Sequence, residues 1–426
     1  MIQITDKKKC CGCSACAQIC PRQCITMQED EQGFLYPKVD KDACVACHLC
    51  EKVCPVLNQR EDKQPTEVYA AKNPNEEVRL KSSSGGIFSI LAEKVLEEKG
   101  VVFGAKFNDK WEVEHGYIED INDLDNLRRS KYVQSNIKDN YKKAEEFLKQ
   151  GRKVLFTGTP CQIAGLKNYL RKDYDNLLCV DVVCHGAPSP RVWRDYLSFI
   201  RRPEGAGVGK NTVSFSCLKE MPVITGISFR DKSTGWQKFG FNVLIASEVS
   251  NQNSVSRPLN TIDKNVFIHE TLDKNIFMQG FLKDLYLRES CYHCPAKKGK
   301  SHSDITLADF WGINNVFPKI NDDKGVSVVM INSEKGKQIF DSLEIEKYRT
   351  DFSKAKQLPM EYSVKEPKQR KEFWQRYTTE GIACIEPICN KMKPNVIRRT
   401  ITFGKRCTKK ILGQKVVNTI KSVIKK

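Results

Sequence analysis

Cys10, Cys13, Cys16 and Cys20, the last followed by Pro21, recur as Cys44, Cys47, Cys50 and Cys54, followed by Pro55. In this spacing three close thiolates hold three irons of one 4Fe–4S cube, and the fourth reaches the other cube. The two halves therefore staple each other. Cys10, Cys13, Cys16 and Cys54 are expected at one cluster, and Cys44, Cys47, Cys50 and Cys20 at the second. A pair of zinc knuckles is the rival, but zinc pairs two CxxC elements across a longer gap and has no use for four cysteines in one short run. Cys11 and Cys24 are left over and are expected to be small packing residues. Such clusters carry single electrons at low potential and do no bond chemistry.

A second set of thiols lies far along the chain. Residues 154–157 and 177–183 read as short apolar strands, and Cys161 and Cys184 fall just past their ends. If the strands are parallel neighbours, both thiols emerge at the same carboxyl edge, where open α/β sheets bind ligands. Cys161 also falls in the first turn of a helix, which favours a thiolate. Cys291 and Cys294, separated by Tyr292 and His293, supply a close pair better suited to a metal than to a disulfide. Together these four are enough for a third 4Fe–4S cluster. A four-cysteine zinc site and unrelated buried thiols stay open as alternatives. Cys179, Cys217, Cys384, Cys389 and Cys407 have no partner spacing and are expected to be structural.

The elements that must position these thiols follow from periodicity and punctuation. Ten of the nineteen cysteines precede Pro55, so the first unit spans residues 1–58 and a polar linker spans 59–66. Beyond it, strand-like segments (101–107, 154–157, 177–183) alternate with helical ones (87–99, 140–150, 160–170, 190–200). Thr159-Pro160 and Ser189-Pro190 are helix starts, since the N–H that Pro lacks would be unpaired there. The order implies a partly parallel sheet. Residues 205–210 form a glycine-rich break, residues 212–246 alternate like antiparallel strands with a turn at 232–235, and a helical pattern resumes over 265–289.

At 426 residues with 40% hydrophobic content, the chain can bury a real core, and disorder of the whole is excluded. No apolar stretch is long enough to span a bilayer, and no apolar signal region opens the chain. A reducing cytoplasm is the expected setting. The net charge of +18 includes twelve Lys or Arg, with no acid, between Asn390 and Lys426, leaving about +6 for the rest. The body is therefore not expected to bind nucleic acid. After Thr408, apolar residues at near-helical spacing among lysines suggest a basic amphipathic helix. Lying on an anionic membrane surface, which would place the protein peripherally at the inner face, and docking on the protein's own body or on a partner are equal expectations, with a disordered tail as a third reading.

Several stretches resemble the beta subunit of coenzyme F-420 hydrogenases and dehydrogenases. They are Ser82-Ser-Ser-Gly-Gly86, Ser130-Lys-Tyr-Val-Gln-Ser135, Leu155-Phe-Thr-Gly-Thr-Pro-Cys-Gln-Ile-Ala-Gly-Leu166 and Asp181-Val-Val-Cys-His-Gly-Ala-Pro-Ser189. Phe229-Arg-Asp-Lys232 with Gly235-Trp236, the Cys291/Cys294 pair and Asp304-Ile-Thr-Leu-Ala-Asp-Phe-Trp-Gly312 complete the series. A two-cluster ferredoxin extension is common in that family. The implied architecture is an α+β ferredoxin-like domain followed by a larger α/β domain with a partly parallel sheet. The larger unit, residues 67–390, is then a flavin and Fe–S oxidoreductase domain, and 391–426 a basic tail.

The resemblance implies a flavin, read as FAD, beside a third 4Fe–4S cluster on Cys161, Cys184, Cys291 and Cys294. Ser84, Gly85 and Gly86 precede a helix and could offer N–H groups to a flavin phosphate, or could be an ordinary helix cap. Lys131 and Tyr132 could touch phosphate or ring, or line a solvated loop. Asp304, Asp309, His185 and His293 are the groups near enough in sequence to manage protons, and no catalytic residue is assigned. The leading expectation is an iron–sulfur flavoprotein oxidoreductase. It would couple a one-electron carrier protein such as ferredoxin to hydride exchange with an organic molecule. An electron-transfer subunit feeding a partner hydrogenase or dehydrogenase is the alternative, and a cluster-bearing scaffold a third. Relatives in cell-surface polysaccharide gene clusters suggest such a pathway, and coenzyme F-420 itself is not carried over as substrate.

Overall fold

Two short antiparallel strands, β1 (Ile25–Glu29) and β2 (Leu35–Val39), separate the two cysteine runs. The computed structural model describes residues 1–201, 223–246 and 265–393. Around β1 and β2 the buried side chains are mostly thiols, Cys16, Cys24, Cys50 and Cys54 with Ile2 and Ile25. The unit's own apolar core is small, and it buries further surface against the large sheet.

The rest is organised by one eight-stranded sheet. Its strands are β3 (Glu67–Lys72), β4 (Val101–Phe107), β5 (Val113–Ile118), β6 (Val154–Gly158) and β7 (Leu177–Val182), and later β11 (Ile305–Asp309), β12 (Ser327–Ile331) and β13 (Glu346–Thr350). The three strands between, β8 (Val223–Asp231), β9 (Gly240–Ala246) and β10 (Asn265–Thr271), form a separate antiparallel sheet. The large sheet runs β13-β3-β12-β11-β7-β6-β4-β5, with β11, β7, β6 and β4 mutually parallel and the outer pairs antiparallel. The expected parallel neighbours, β6 and β7, pair from Val154–Leu177 to Gly158–Asp181.

Both faces of the parallel strands are apolar, as a sheet covered on both sides requires. Val102, Leu155, Leu178 and Leu307 face the helix Ile87–Glu97 through Ile87, Leu91 and Val95. Val101, Phe103, Val154, Phe156 and Leu177 face the helices Asn140–Lys149 and Pro160–Leu170. Cys11, Cys13, Ala15 and Val53 belong to this second cluster, so the first unit shares a core with the sheet's second face. The small sheet packs on the helix Pro190–Ile200 through an aromatic group in which Trp193 lies 5.0 Å from Phe229 and 5.1 Å from Phe277.

Residues 265–289 correct the helical expectation. Asn265–Thr271 is β10, paired along its length with β9, and only Ile276–Leu282 is α-helical. An open strand edge on β9 and the β-branched Val266, Ile268 and Thr271 outweigh a spacing that reads equally well as helix. The glycine-rich break at 205–210 and the amphipathic tail beyond residue 393 lie outside the described residues. The segment 59–66 is tied down rather than free: Lys63 N–H donates to Lys298 C=O at 2.9 Å, and Thr66 N–H donates to Ile331 C=O at 2.8 Å. Gly299 sits at φ +72°, and a Cβ there would lie 2.1 Å from the Lys63 carbonyl, which explains the glycine. No helix of the described residues is long and apolar enough to cross a membrane.

Candidate functional site

The cysteine runs fold so that each short helix, Ala15–Gln18 and Leu49–Lys52, follows a left-handed residue, Ser14 or His48. Cys20, Cys44, Cys47 and Cys50 line one pocket, the set expected at the second cluster. Cys10, Cys13, Cys16 and Cys54 are all buried. Burial is the largest cause raising the Cys16 thiol, and like charge on its neighbours adds to it. Cys24 is not remote from this chemistry, since its Sγ lies 3.4 Å from that of Cys20. Nor is Cys11, which is buried in one cluster with Cys13 and with Cys161 packed against it.

Cys161, Cys184, Cys291 and Cys294, 133 positions apart at their extremes, line one cavity. Cys161 rides in the first turn of Pro160–Leu170, where Gln162 closes a capping box with Thr159. Its Sγ is 3.3 Å from Thr159 Oγ1, and Cys291 Sγ accepts from Ala187 N–H at 3.3 Å. Cys184 follows β7, and Lys297 donates to its carbonyl at 2.7 Å. Burial pushes the Cys184 thiol up to about 12 and Cys291 higher still. Thiols so placed ionise only against something of opposite charge. Among the described residues no three His, Cys, Asp or Glu side chains stand close enough to hold a single metal ion.

The same cavity, about 680 Å³, extends from these thiols to Ser82, Ser83, Ser84 and Gly86 and to the cations Arg128, Arg129 and Lys131. That is ample for a cofactor. Gly86 caps Ile87–Glu97 at φ +80° with no side-chain cap, leaving the helix's first N–H groups without a side-chain acceptor. Gly85 is different. Its N–H donates to Ser327 Oγ at 3.0 Å, and a Cβ there would lie 2.5 Å from the Ala71 carbonyl, so it serves packing. Lys131 donates to the Arg128 carbonyl at 2.8 Å, and burial pulls its ammonium down to about 7.

Tyr132 accepts from Arg230 at 3.2 Å, and Arg230 holds Asp309 through two bonds of 2.7 and 3.0 Å. Trp236 Nε1 also donates to Asp309 at 3.0 Å, and the guanidinium stacks 3.8 Å over Phe239. Arg230 is the wall residue that motif reading passed over. It stands within a quoted stretch, but its partner lies 79 positions away, and nothing local signals the pair. His115 is another: it bonds Ser135 Oγ at 2.9 Å and the Thr157 carbonyl at 3.0 Å, with burial pulling it down to about 4.

Of the four groups expected to manage protons, only two line the cavity. Asp309 is held by Arg230, and His185 is held by Asp284 at 2.6 Å. Asp304 instead accepts from Cys179 N–H at 2.8 Å and Ser333 Oγ at 2.6 Å, a buried structural role. His293 is exposed and stands outside the cavity lining.

Comparison with known proteins matches residues 9–58 to a 4Fe–4S dicluster domain. Residues 68–139 match the N-terminal part of the coenzyme F-420 hydrogenase/dehydrogenase beta subunit, and residues 151–351 its C-terminal part. No curated protein matches. Among solved structures, the F-420-reducing nickel–iron hydrogenase complex from Methanosarcina barkeri aligns at 17% identity and a TM-score of 0.39, over 67% of this chain and 82% of the matched one. With the ordered motifs and both family regions in register, the chain belongs to the coenzyme F-420 hydrogenase/dehydrogenase beta subunit family and opens with a 4Fe–4S dicluster domain.

Proposed function

We propose that the protein is an iron–sulfur flavoprotein oxidoreductase, with a third 4Fe–4S cluster on Cys161, Cys184, Cys291 and Cys294 and a flavin, FAD, in the cavity beside it. The carrying observation is that these four thiols and the uncapped helix start at Gly86 open onto the same cavity. The donor set fits the groups. Four thiols suit a 4Fe–4S cube, which takes four thiolates. Bound clusters pass single electrons, and a bound flavin exchanges two with an organic molecule.

The chain's own residues would then act as follows. Ser84 and the first N–H groups after Gly86 face an anionic phosphate, with Arg128, Arg129 and Lys131 supplying positive charge. Tyr132, Phe239 and Trp311 supply flat apolar contacts. Arg230, fixed by Asp309, keeps a cation in place without moving. His115, neutral and doubly bonded, shapes the wall and exchanges no proton near neutrality. Cys47 is the exposed thiol among the twelve ligands, so the outer cluster faces the carrier protein. Membership of a hydrogenase/dehydrogenase beta subunit family favours partner subunits here too.

Anaerobic reconstitution of the full chain should give about twelve irons and one flavin. Cys291→Ser should hold about eight irons, and trial reduction with reduced deazaflavin, NADH and reduced ferredoxin should identify the donor. Wild type with about eight irons, unchanged by Cys161→Ala, would refute the third cluster.

A further inference from the structure

Arg288 is buried, 1% exposed, between the two inner cysteine groups. Its backbone belongs to the third group: its N–H donates to the Ala187 carbonyl at 2.9 Å, and its carbonyl accepts from Cys291 N–H at 2.9 Å. Its side chain belongs to the first unit. Nε donates to the Cys10 carbonyl at 2.7 Å, Nη2 to the Leu35 carbonyl at 2.9 Å and toward Cys10 Sγ at 3.5 Å, and Nη1 to Gln134 at 3.1 Å. Gln134 in turn donates to the Cys11 carbonyl at 3.0 Å. The guanidinium lies 4.2 Å over the Tyr36 ring. Gly12, at φ +71°, makes room for it, since a Cβ there would stand 2.7 Å from Nη1.

Among the described residues Arg288 makes no salt bridge to a carboxylate, although a buried cation without counter-charge is costly. Its hydrogen bonds go to neutral carbonyls, an amide and a thiol sulfur. We infer that Arg288 is the positioning cation between the Cys10–Cys54 and Cys161–Cys294 clusters, and that it raises the reduction potential of both. This rests on the cluster assignment proposed above. A thiolate-bound cube becomes more negative by one electron on reduction, with no bond formed or broken, so a fixed adjacent cation favours the reduced form. Arginine suits the task because it keeps its charge at every working pH.

The test is an EPR-monitored titration with dithionite on the fully reconstituted chain, with iron counted in each preparation. Arg288→Gln should lower the reduction equilibrium constant of the two inner clusters at least about tenfold, which is 59 mV for one electron. The outer cluster on Cys20, Cys44, Cys47 and Cys50 should not move, and Arg288→Lys should shift the inner pair much less than Gln does. Unmoved inner potentials at full iron, or an equal shift of all three, would overturn the inference. If Arg288→Gln fails to hold iron, wild type decides. Inner potentials independent of pH support a permanent cation, whereas a slope near 59 mV per pH unit would assign the counter-charge to a proton and overturn it. Wild-type protein lacking iron at the inner groups would instead sink the cluster assignment.

Discussion

A Cβ added at Gly165 would lie 3.0 Å from Sγ of Cys13 and 2.9 Å from its Cβ, so the first unit's ligand loop rests directly on the helix that carries Cys161. The contact packs the loop that carries Cys13 against the helix Pro160–Leu170. Neither side can move outward, because Ile163 and Leu166 of that helix are buried against the sheet. Gly165→Ala is therefore expected to destabilise the protein by roughly 1–3 kcal/mol through overpacking. It should also reduce iron retention at Cys10, Cys13, Cys16 and Cys54. Thermal melting and iron analysis of the variant check this; an unchanged melt with full iron would show that the contact has slack.

Arg230 and Asp309 form a pair that is safe only when whole. Arg230→Met leaves the Asp309 carboxylate poorly solvated, and breaking a buried pair of this kind costs about 3–5 kcal/mol. Adding Asp309→Leu should recover much of that loss, because the orphaned charge is gone. Denaturant midpoints of the two variants measure the difference. Flavin retention should fall in both, as the wall beside Tyr132 is altered in both.

His115 links stability to acid. Burial holds it near 4, below its ordinary 6.5, so between those values the unfolded chain binds a proton that the folded one does not. Stability is full above about 6.5 and falls as the pH drops toward 4, by roughly 3 kcal/mol over the window. His115→Gln should flatten this part of the profile. Urea midpoints measured from pH 7 to 4 supply the comparison.

Lys131 has the same sign at higher pH. Its ammonium is pulled down to about 7, so it carries charge below that value and loses it above. Binding of a phosphate-bearing flavin should weaken as pH rises through about 7, and Lys131→Met should remove the dependence. Flavin dissociation constants across pH 6 to 8.5, for both proteins, decide it.

The dicluster domain at the start was legible because a cube's ligands repeat at short fixed spacing, and residues 9–58 match such a domain. The helix starts at Pro160 and Pro190 were legible for a local reason too: Thr159-Pro160 and Ser189-Pro190 are capping chemistry written in adjacent residues. Local pattern failed at 265–271, where pairing with β9 selects a strand from residues that also suit a helix turn.

What the sequence determined by itself is therefore local: ligand spacing, caps, strand and helix order, and the family signature. Tertiary structure decided everything that joins distant segments. It brought Cys161, Cys184, Cys291 and Cys294 to one cavity, set Arg230 on Asp309, turned Gly85 toward packing while Gly86 faced the cavity, and packed Cys11 with Cys13 and Cys161. The physical reason is that a strand's register and a helix's docking angle are settled by burial of whole faces. The side chains that meet across those faces carry no mark of one another in the chain.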